Sequence, residues 1–330
     1  MRGNTHGKLF SITSFGESHG SAMGVIVDGM PSKISVSLED LQTWVSRRAP
    51  GRLPGTTARK EQDLVEIMSG VFEGKTLGTP LACSVQNTDQ RSKDYDQLKE
   101  QYRPGHADKT TLQKYGIRDH RGGGRSSGRE TVARVIGGYF AKQILPELKV
   151  QASIVKMGDF DFREKAEGFE ALGHYAVGTK FESDQNIEQY LLSLKSQGDS
   201  VGGVVLLKIE NCPPGLGEPC FDKIKADFAK AFLSIGSCVS FSYGARDDFW
   251  NLTGKQITED QSHFSGMEGG MTNGDPISIY LGFRPPSTVG EKAKQGRHDP
   301  CILPRALVVV ESMAYLVIAD HFLRQKAYDV

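Results

Sequence analysis

The chain has 330 residues, of which 40 are lysine or arginine and 40 are aspartate or glutamate, and 38% are hydrophobic. The balanced charge excludes a global field that would attract nucleic acid or an anionic membrane surface, so positive charge must act locally. The composition is that of a soluble globular protein, long enough for two core-bearing lobes. Five widely spaced cysteines without a CxxC pair indicate a reducing compartment, and the first residues lack an apolar signal segment, so we expect a cytoplasmic protein.

In the first half, short strands surround one early helix. The residues at 37–48 predict a helix capped by Ser37, with Leu41, Trp44 and Val45 facing inward. Strands are predicted at 8–15, 25–28, 64–71 and 80–85. Short helices and loops follow, up to an amphipathic helix that begins after Ser127, where Ser127-Gly128-Arg129-Glu130 predicts a capping box.

The second half begins a new pattern after Pro146. Strands are predicted at 150–156, 204–209, 239–243 and 277–283, and helices at 187–194, at 221–233 and in one long run after Pro304. The apolar run within that last helix contains Glu311, Asp320 and His321, which argues against a membrane span.

Two short motifs recur in the two halves. Asp28-Gly29-Met30-Pro31 ends a strand as Glu210-Asn211-Cys212-Pro213 does, and the segment 74–81 is echoed by 270–277. We therefore expect one domain built of two similar β/α lobes, at about 1–145 and 146–330. Because the strands are not each followed by a helix, the pattern predicts an α+β fold of antiparallel sheets packed on helices. The alternative is that the repeat is a coincidence.

The most informative stretch is a glycine loop that enters a helix, RGGGRSSGRE at 121–130. Three glycines allow backbone conformations closed to other residues, and a helix N-terminus beside Arg125 and Arg129 is suited to bind a phosphate ester. The run lacks the Lys-Ser/Thr of a P-loop and no strand precedes it, which argues against an NTPase. An RNA-binding RGG segment and a purely structural turn remain as alternatives.

Three histidines lie in glycine-containing turns beside charged residues: His19, His106 and His298. An imidazole near a phosphate site can act as a general acid or base at neutral pH. Arginines near these turns indicate one shared anionic site, namely Arg48, Arg103, Arg125, Arg129 and Arg297. The spacing excludes an HExxH zinc site, and no metal is expected. The alternative for each histidine is a structural hydrogen bond.

Several long segments, in order, resemble the signature segments of the chorismate synthase family. They include FGESHG, RPGHAD, YGIRDHRGGGRSSGRET and GRHDPCILPRALVVVESMAYLVIAD, which begin at residues 15, 103, 115 and 296. The resemblance covers nearly the whole chain. It implies a sandwich of antiparallel sheets around helices, a homotetramer, and a final helix buried inside the protomer.

The resemblance also implies an activity. Family members are lyases that convert 5-enolpyruvylshikimate 3-phosphate to chorismate by eliminating phosphate and a ring hydrogen, and they require reduced FMN although there is no net redox change. NADPH would act only indirectly, by keeping the flavin reduced. Because the chain shows no GxGxxG fingerprint, we expect an external flavin reductase.

The family's site residues map onto this chain position by position. The resemblance implies that His19 protonates the leaving phosphate, that His106 stabilises the reduced flavin, and that Asp299 transfers a proton at flavin N5. It implies substrate contacts at Arg48 and Arg129. Flavin contacts are implied at Arg125, Ser126, Ser127, Gly236, Ser237, Gly269, Arg284, Pro285, Pro286, Ser287, Thr288 and Arg297.

Three segments depart from the family pattern. Only nine residues separate Ser287 from Arg297, where many relatives have a longer loop over the flavin. The basic run after Arg48 is altered to APGRLP, and Gly236-Ser237 replaces a pair that usually contains Asn. These departures leave open a non-catalytic flavin- or phosphate-binding relative, although a binder would need neither His19 nor His106.

Overall fold

A computed structural model describes residues 3–48, 63–87, 102–161, 184–244, 249–291, 293 and 299–328. Within these ranges the chain forms two five-stranded sheets, two small hairpins and seven α-helices. Every strand pair within these ranges is antiparallel. The predicted α+β class is therefore confirmed.

The first sheet comes from the first half of the chain. Its strands run in the order β1-β2-β3-β7-β4. Their bounds are β1 Thr5–His6, β2 Ser11–Phe15, β3 Ala22–Asp28, β4 Val65–Ser69 and β7 Leu81–Gln86, with a hairpin of β5 Val71–Phe72 and β6 Lys75–Thr76. The helices of this half are α1 Leu38–Ser46, α2 Asp108–Tyr115 and α3 Thr131–Ile144.

The second sheet has the order β11-β14-β10-β8-β9. Its strands are β8 Lys149–Met157, β9 Phe160–Asp161, β10 Gly203–Glu210, β11 Cys238–Tyr243 and β14 Ile277–Phe283, with a hairpin of β12 Met267–Glu268 and β13 Met271–Thr272. The helices are α4 Asp184–Gln197, α5 Ile224–Leu233, α6 Gly254–Glu259 and α7 Leu303–Gln325.

The two sheets have equivalent strand orders, so the predicted pair of similar lobes is confirmed. β2, β3, β7 and β4 neighbour one another as β8, β10, β14 and β11 do. One threonine fixes the same turn in each half: Thr76 Oγ1 donates to Pro31 O and Thr272 Oγ1 to Pro213 O, both at 2.6 Å. The boundary between the halves near residue 145 stays a prediction.

The core lies between the sheets and is formed around α3 and α7. Helix α3 packs on β2 and β3, α7 packs on β8 and β10, and the two helices pack on each other. Gly138 on α3 lies directly against Ser312 on α7, so close that a Cβ at position 138 would overlap the serine. By length and composition α7 could cross a membrane, but its residues are buried within the protein, as expected for a core helix.

Most element predictions are confirmed, the strand predicted at 8–15 begins only at Ser11, and two further local predictions are wrong. Ser37 caps α1 by accepting from the N–H of Asp40 at 3.1 Å. The helix predicted from residue 221 begins only at Ile224, because Asp222 adopts a left-handed conformation (φ 56°) that a helix cannot contain. At Ser127 the predicted reciprocal capping box is replaced by a 3₁₀ turn at 128–130.

Candidate active site

The glycine loop packs against the turn that follows β2. A Cβ on Gly122 would overlap the ring of His19, and a Cβ on Gly124 would press on the carboxylate of Glu17. Only glycine permits this close approach, since Gly124 also has a positive φ of 52°. The structure therefore brings His19 into contact with the predicted phosphate cradle. The Ser18 hydroxyl lies 3.1 Å from His19 Nδ1, which orients the ring.

The start of α3 is fixed by Ser127, by Arg134 of the helix itself and by Ser14 of β2. Ser127 Oγ accepts from the N–H of Arg129, not Glu130, at 3.2 Å. Glu130 is buried and accepts from Ser14 Oγ at 3.0 Å and from Arg134 Nε at 2.8 Å. Because its carboxylate is engaged there, it does not return to Ser127 to complete a capping box.

Arg125 turns back over the end of β2. Its guanidinium donates to Gly16 O at 2.9 Å and to Ser14 O at 3.1 Å. Its Nε is buried and has no hydrogen-bond partner among the described residues. A buried N–H donor without a partner costs free energy, so a ligand atom at this position would stabilise the site.

Two arginines predicted to contact the substrate share one buried carboxylate. Asp63 pairs with Arg48 Nη1 through Oδ2 at 2.8 Å and with Arg129 Nη1 through Oδ1. Burial alone would raise the pKa of Asp63, but the charges of Arg48 and Arg129 outweigh it and hold the pKa below its ordinary value. Burial lowers the pKa of Arg48 to about 10, against the charge of Asp63. Asp63 and Arg48 are therefore both charged at neutral pH.

Asn87 joins Arg129 to the turn that carries His19. Its Oδ1 accepts from Arg129 Nε at 3.0 Å, while its amide nitrogen donates to Gly20 O at 2.8 Å and to Glu17 O at 3.2 Å. The sequence drew attention to neither Asp63 nor Asn87 as a site residue. Asn87 opens the segment NTDQRS, which matches the family, but Asp63 has no local signal.

The N-terminus of α7 reaches the same arginines from the second half. Asp299 accepts from Arg305 Nη1 at 2.7 Å, and Arg305 Nε donates to the main-chain oxygen of Arg48 at 3.2 Å. Hydrogen bonds and ion pairs thus connect Asp299 through Arg305, Arg48, Asp63, Arg129 and Asn87 to the His19 turn. Arg305 was also missed by the sequence reasoning.

A second cluster surrounds His106. Its Nε2 lies 3.1 Å from Thr288 Oγ1, and Arg284 Nη2 donates to Gly105 O at 3.2 Å. Thr288 and Asp299 line one small cavity, together with Lys195, Gly198, Asp199, Ala293 and Pro300. The structure therefore brings His106 and the segment 284–288 close to Asp299.

Of the remaining predicted flavin contacts, Gly236 and Ser237 lie beside the 284–288 segment, and Gly269 lies in a separate hairpin. Ser237 accepts from the N–H of Arg284 at 2.9 Å, so the turn at Gly236 and Ser237 lies beside the 284–288 segment. Gly269 lies in the β12–β13 hairpin before β14, whereas Arg284 follows β14. Seven residues, a span of roughly 20 Å, separate the two ends of β14, and Gly269 stays a predicted contact. Arg297 lies outside the described residues.

Two further predicted contacts are held by their backbones. Pro286 O accepts from Ser200 Oγ at 2.7 Å, and Pro285 lies against Gly202 at the start of β10. Ser126 donates its N–H to Gly123 O at 2.9 Å within the cradle. No cluster of three His, Cys, Asp or Glu side chains that could hold a metal ion occurs in the described ranges.

A protein-family model described as chorismate synthase matches residues 10–323, and this match includes every element of the site described above. The chain belongs to the chorismate synthase family. The chorismate synthase of Flavobacterium psychrophilum is 42% identical over 356 aligned positions, covering 100% of this chain and 99% of that protein. The chorismate synthase of Synechocystis is 43% identical over 357 positions, covering 98% of each.

A solved chorismate synthase crystal structure has the same fold. It superposes with a TM-score of 0.75 at 27% sequence identity and covers 97% of this chain and 93% of its own. Both alignments above run over more positions than the 330 residues of this chain, so these two chorismate synthases carry residues that it lacks. The short segment between Ser287 and Arg297 is consistent with this difference in length.

Proposed function

We propose that the chain converts 5-enolpyruvylshikimate 3-phosphate to chorismate by 1,4-elimination of phosphate, with reduced FMN and no net redox change. The observation that carries the proposal is the bonded network from Asp299 to the His19 turn. It joins two arginines to the turn that carries His19, a combination that suits the elimination of a phosphate group.

The residues present fit a flavin mononucleotide. The cradle at 122–127 offers backbone N–H groups, the guanidinium of Arg125 and its unpartnered Nε, which suit a phosphate group. Ser287, Thr288 and Arg284 offer hydroxyl and guanidinium donors beside His106. When bound, reduced flavin would supply electron density to the substrate and recover it.

His19 would act as the acid for the departing phosphate. Ser18 occupies Nδ1, so the proton would leave from the other ring nitrogen, Nε2. His106 would orient and stabilise the cofactor through the contact between its Nε2 and Thr288. Asp299, which Arg305 holds in an ion pair at 2.7 Å, would transfer the proton at flavin N5.

Arg129 would bind an anionic group of the substrate at the start of α3. Its charge exceeds what Asp63 alone can neutralise, because Arg48 shares that carboxylate, so the cluster carries a net positive charge. An anion beside it would be stabilised by both the arginine and the helix N-terminus. We further propose a cytoplasmic homotetramer that depends on an external flavin reductase.

An anaerobic assay tests this function. The protein, reduced FMN and 5-enolpyruvylshikimate 3-phosphate should give equal amounts of phosphate and chorismate, and oxidised FMN should give none. FMN binding without phosphate release would favour a non-catalytic flavin-binding relative. Sustained aerobic turnover with NADPH and FMN alone, in protein freed of reductases, would contradict the external reductase.

A further inference from the structure

We infer that Asp63 is a positioning residue which aligns Arg129 in the anion site, and that Arg48 acts through Asp63 without contacting the substrate. The inference rests on the proposed function, because it names how that site is held together. It starts from the burial of the three groups: the side chains of Asp63, Arg48 and Arg129 are 0%, 2% and 7% exposed.

Each of the three guanidinium nitrogens of Arg48 donates a hydrogen bond to an oxygen of the protein. Nε donates to Thr131 Oγ1 at 2.8 Å, Nη1 to Asp63 Oδ2 at 2.8 Å, and Nη2 to Gly128 O at 2.9 Å. To reach a substrate it would have to break these bonds, and two of them fix the start of α3. Arg48 therefore serves as the buried counter-charge that keeps Asp63 ionised.

Arg129 is held by two side chains, and one of them also binds the turn that carries His19. Asp63 binds its Nη1 and Asn87 binds its Nε. Asn87 in turn holds the main chain of Glu17 and Gly20, on either side of His19. Asp63 and Asn87 together thus fix how Arg129 lies relative to the His19 turn, and small errors in such a position are costly to catalysis.

The sign of the effect on anion affinity distinguishes positioning from simple charge. Asp63→Asn removes one negative charge beside two arginines, so a pure field effect would make an anion bind more tightly. If Asp63 positions Arg129, the same change releases the guanidinium and weakens anion binding despite the added positive charge. The two ideas therefore predict opposite shifts from one substitution.

The experiment measures the dissociation constant of inorganic phosphate by calorimetry for the full chain. We expect Asp63→Asn to weaken phosphate binding roughly tenfold or more. The matched control is Asp320→Asn, which removes a buried carboxylate that accepts three backbone N–H groups at the start of β2, away from the His19 turn. It should leave phosphate affinity unchanged. Unchanged or tighter binding in Asp63→Asn would overturn the inference.

A double-variant cycle tests the role of Arg48. If Arg48→Met acts through Asp63, its loss in phosphate affinity should be largely absent when Asp63→Asn is already present. If the losses of phosphate affinity in the two single variants add fully in the double variant, Arg48 contacts the anion directly and the claim that it acts through Asp63 is wrong. If Asp63→Asn alone does not fold, the double variant, which removes both charges, takes its place: affinity equal to the wild type would overturn the inference, and weaker affinity would support it.

Phosphate binding and turnover separate this inference from the proposed function. A wild-type protein that binds phosphate but releases none from the enolpyruvyl substrate would overturn the proposed function. The inference about Asp63 would then still be decided by the phosphate affinities of the variants. A wild-type protein with no measurable phosphate affinity would overturn the inference, since Arg129 would then not stand in an anion site. In active protein, Asp63→Asn should lower kcat/KM about 100-fold.

Discussion

The two halves of the molecule share a frame but supply different groups to the site. In the first half, the segment after α1 carries Arg48, a buried charge. In the second, the segment after the corresponding helix α5 carries Gly236 and Ser237, whose turn offers a backbone oxygen to Arg284. The first half also contributes Asp63 and Arg129, whereas the second contributes the ion pair of Asp299 with Arg305 and the guanidinium and hydroxyl groups at 284–288.

This difference shows that the repeated sheets set where the loops lie, while the residues in the loops determine which chemical groups reach the site. The turn between β2 and β3 spans only residues 16–21, yet it holds His19 against the glycine cradle. The corresponding connection between β8 and β10 spans residues 158–202. Short, glycine-rich loops therefore hold the proposed acid in the first half.

The largest effect should follow from removing His19. We expect His19→Ala to slow phosphate release by about 10²–10⁴-fold, because the leaving group would lose its general acid. Flavin affinity should stay near that of the wild type. Single-turnover phosphate release measures the first, and titration with reduced FMN measures the second. His263→Ala, in a 3₁₀ turn of the second half, is the control.

A smaller effect on rate, with a change in cofactor binding, should follow from His106→Ala. The contact with Thr288 is lost, so the pH dependence and spectrum of bound reduced flavin should change together with the rate. Titrating reduced FMN into the variant across a range of pH checks this. If both histidine variants changed flavin binding and chemistry identically, the proposed division of roles between His19 and His106 would be wrong.

The shared frame predicts equal losses of stability. Thr76 and Thr272 are 3% and 4% exposed, and each accepts one backbone N–H and donates to one proline carbonyl. Thr76→Val and Thr272→Val should each lower the free energy of unfolding by about 1–3 kcal/mol. Urea unfolding measures both, with the exposed Thr258→Val as the control. A loss in only one half would break the equivalence.

The smallest effect concerns the pH range in which the His106 loop is stable. Burial alone would raise the pKa of Asp108, but hydrogen bonds from Arg103 and the charges of Arg103 and Arg118 lower the pKa to about 2. Because this is below the unfolded value of 3.8, the contribution is present above about pH 4 and is lost as the pH falls toward 2. Amide exchange at 103–108 should therefore differ between wild type and Asp108→Asn at neutral pH, and the difference should disappear as the pH falls from 4 toward 2. A constant difference would contradict this.

The sequence predicts elements well where one period dominates. The strand predicted at 277–283 matches β14 at both ends, because ISIYLGF alternates strictly between buried and half-buried residues. The start of α5 is predicted three residues early because nothing local shows that Asp222 adopts a left-handed conformation. Phe221, which is 86% exposed, suggests a helical core position only by its residue type.

The site is predictable only where its residues form a local motif. The glycine cradle and the His19 turn are visible because glycines, arginines and a histidine adjoin one another. Asp63 lies between two other acidic residues in the segment KEQDLVE, and its partners Arg48 and Arg129 lie 15 and 66 residues away. Its burial depends on tertiary packing, which no local pattern records.

The central claim is a redox-neutral elimination in this site, and a single-turnover experiment tests it most directly. Protein in excess over 5-enolpyruvylshikimate 3-phosphate is mixed with reduced FMN without oxygen, while phosphate and the flavin spectrum are followed together. The account predicts one phosphate released per substrate, with the flavin fully reduced at the end. No phosphate release, or oxidation of one flavin for each substrate consumed, would contradict it.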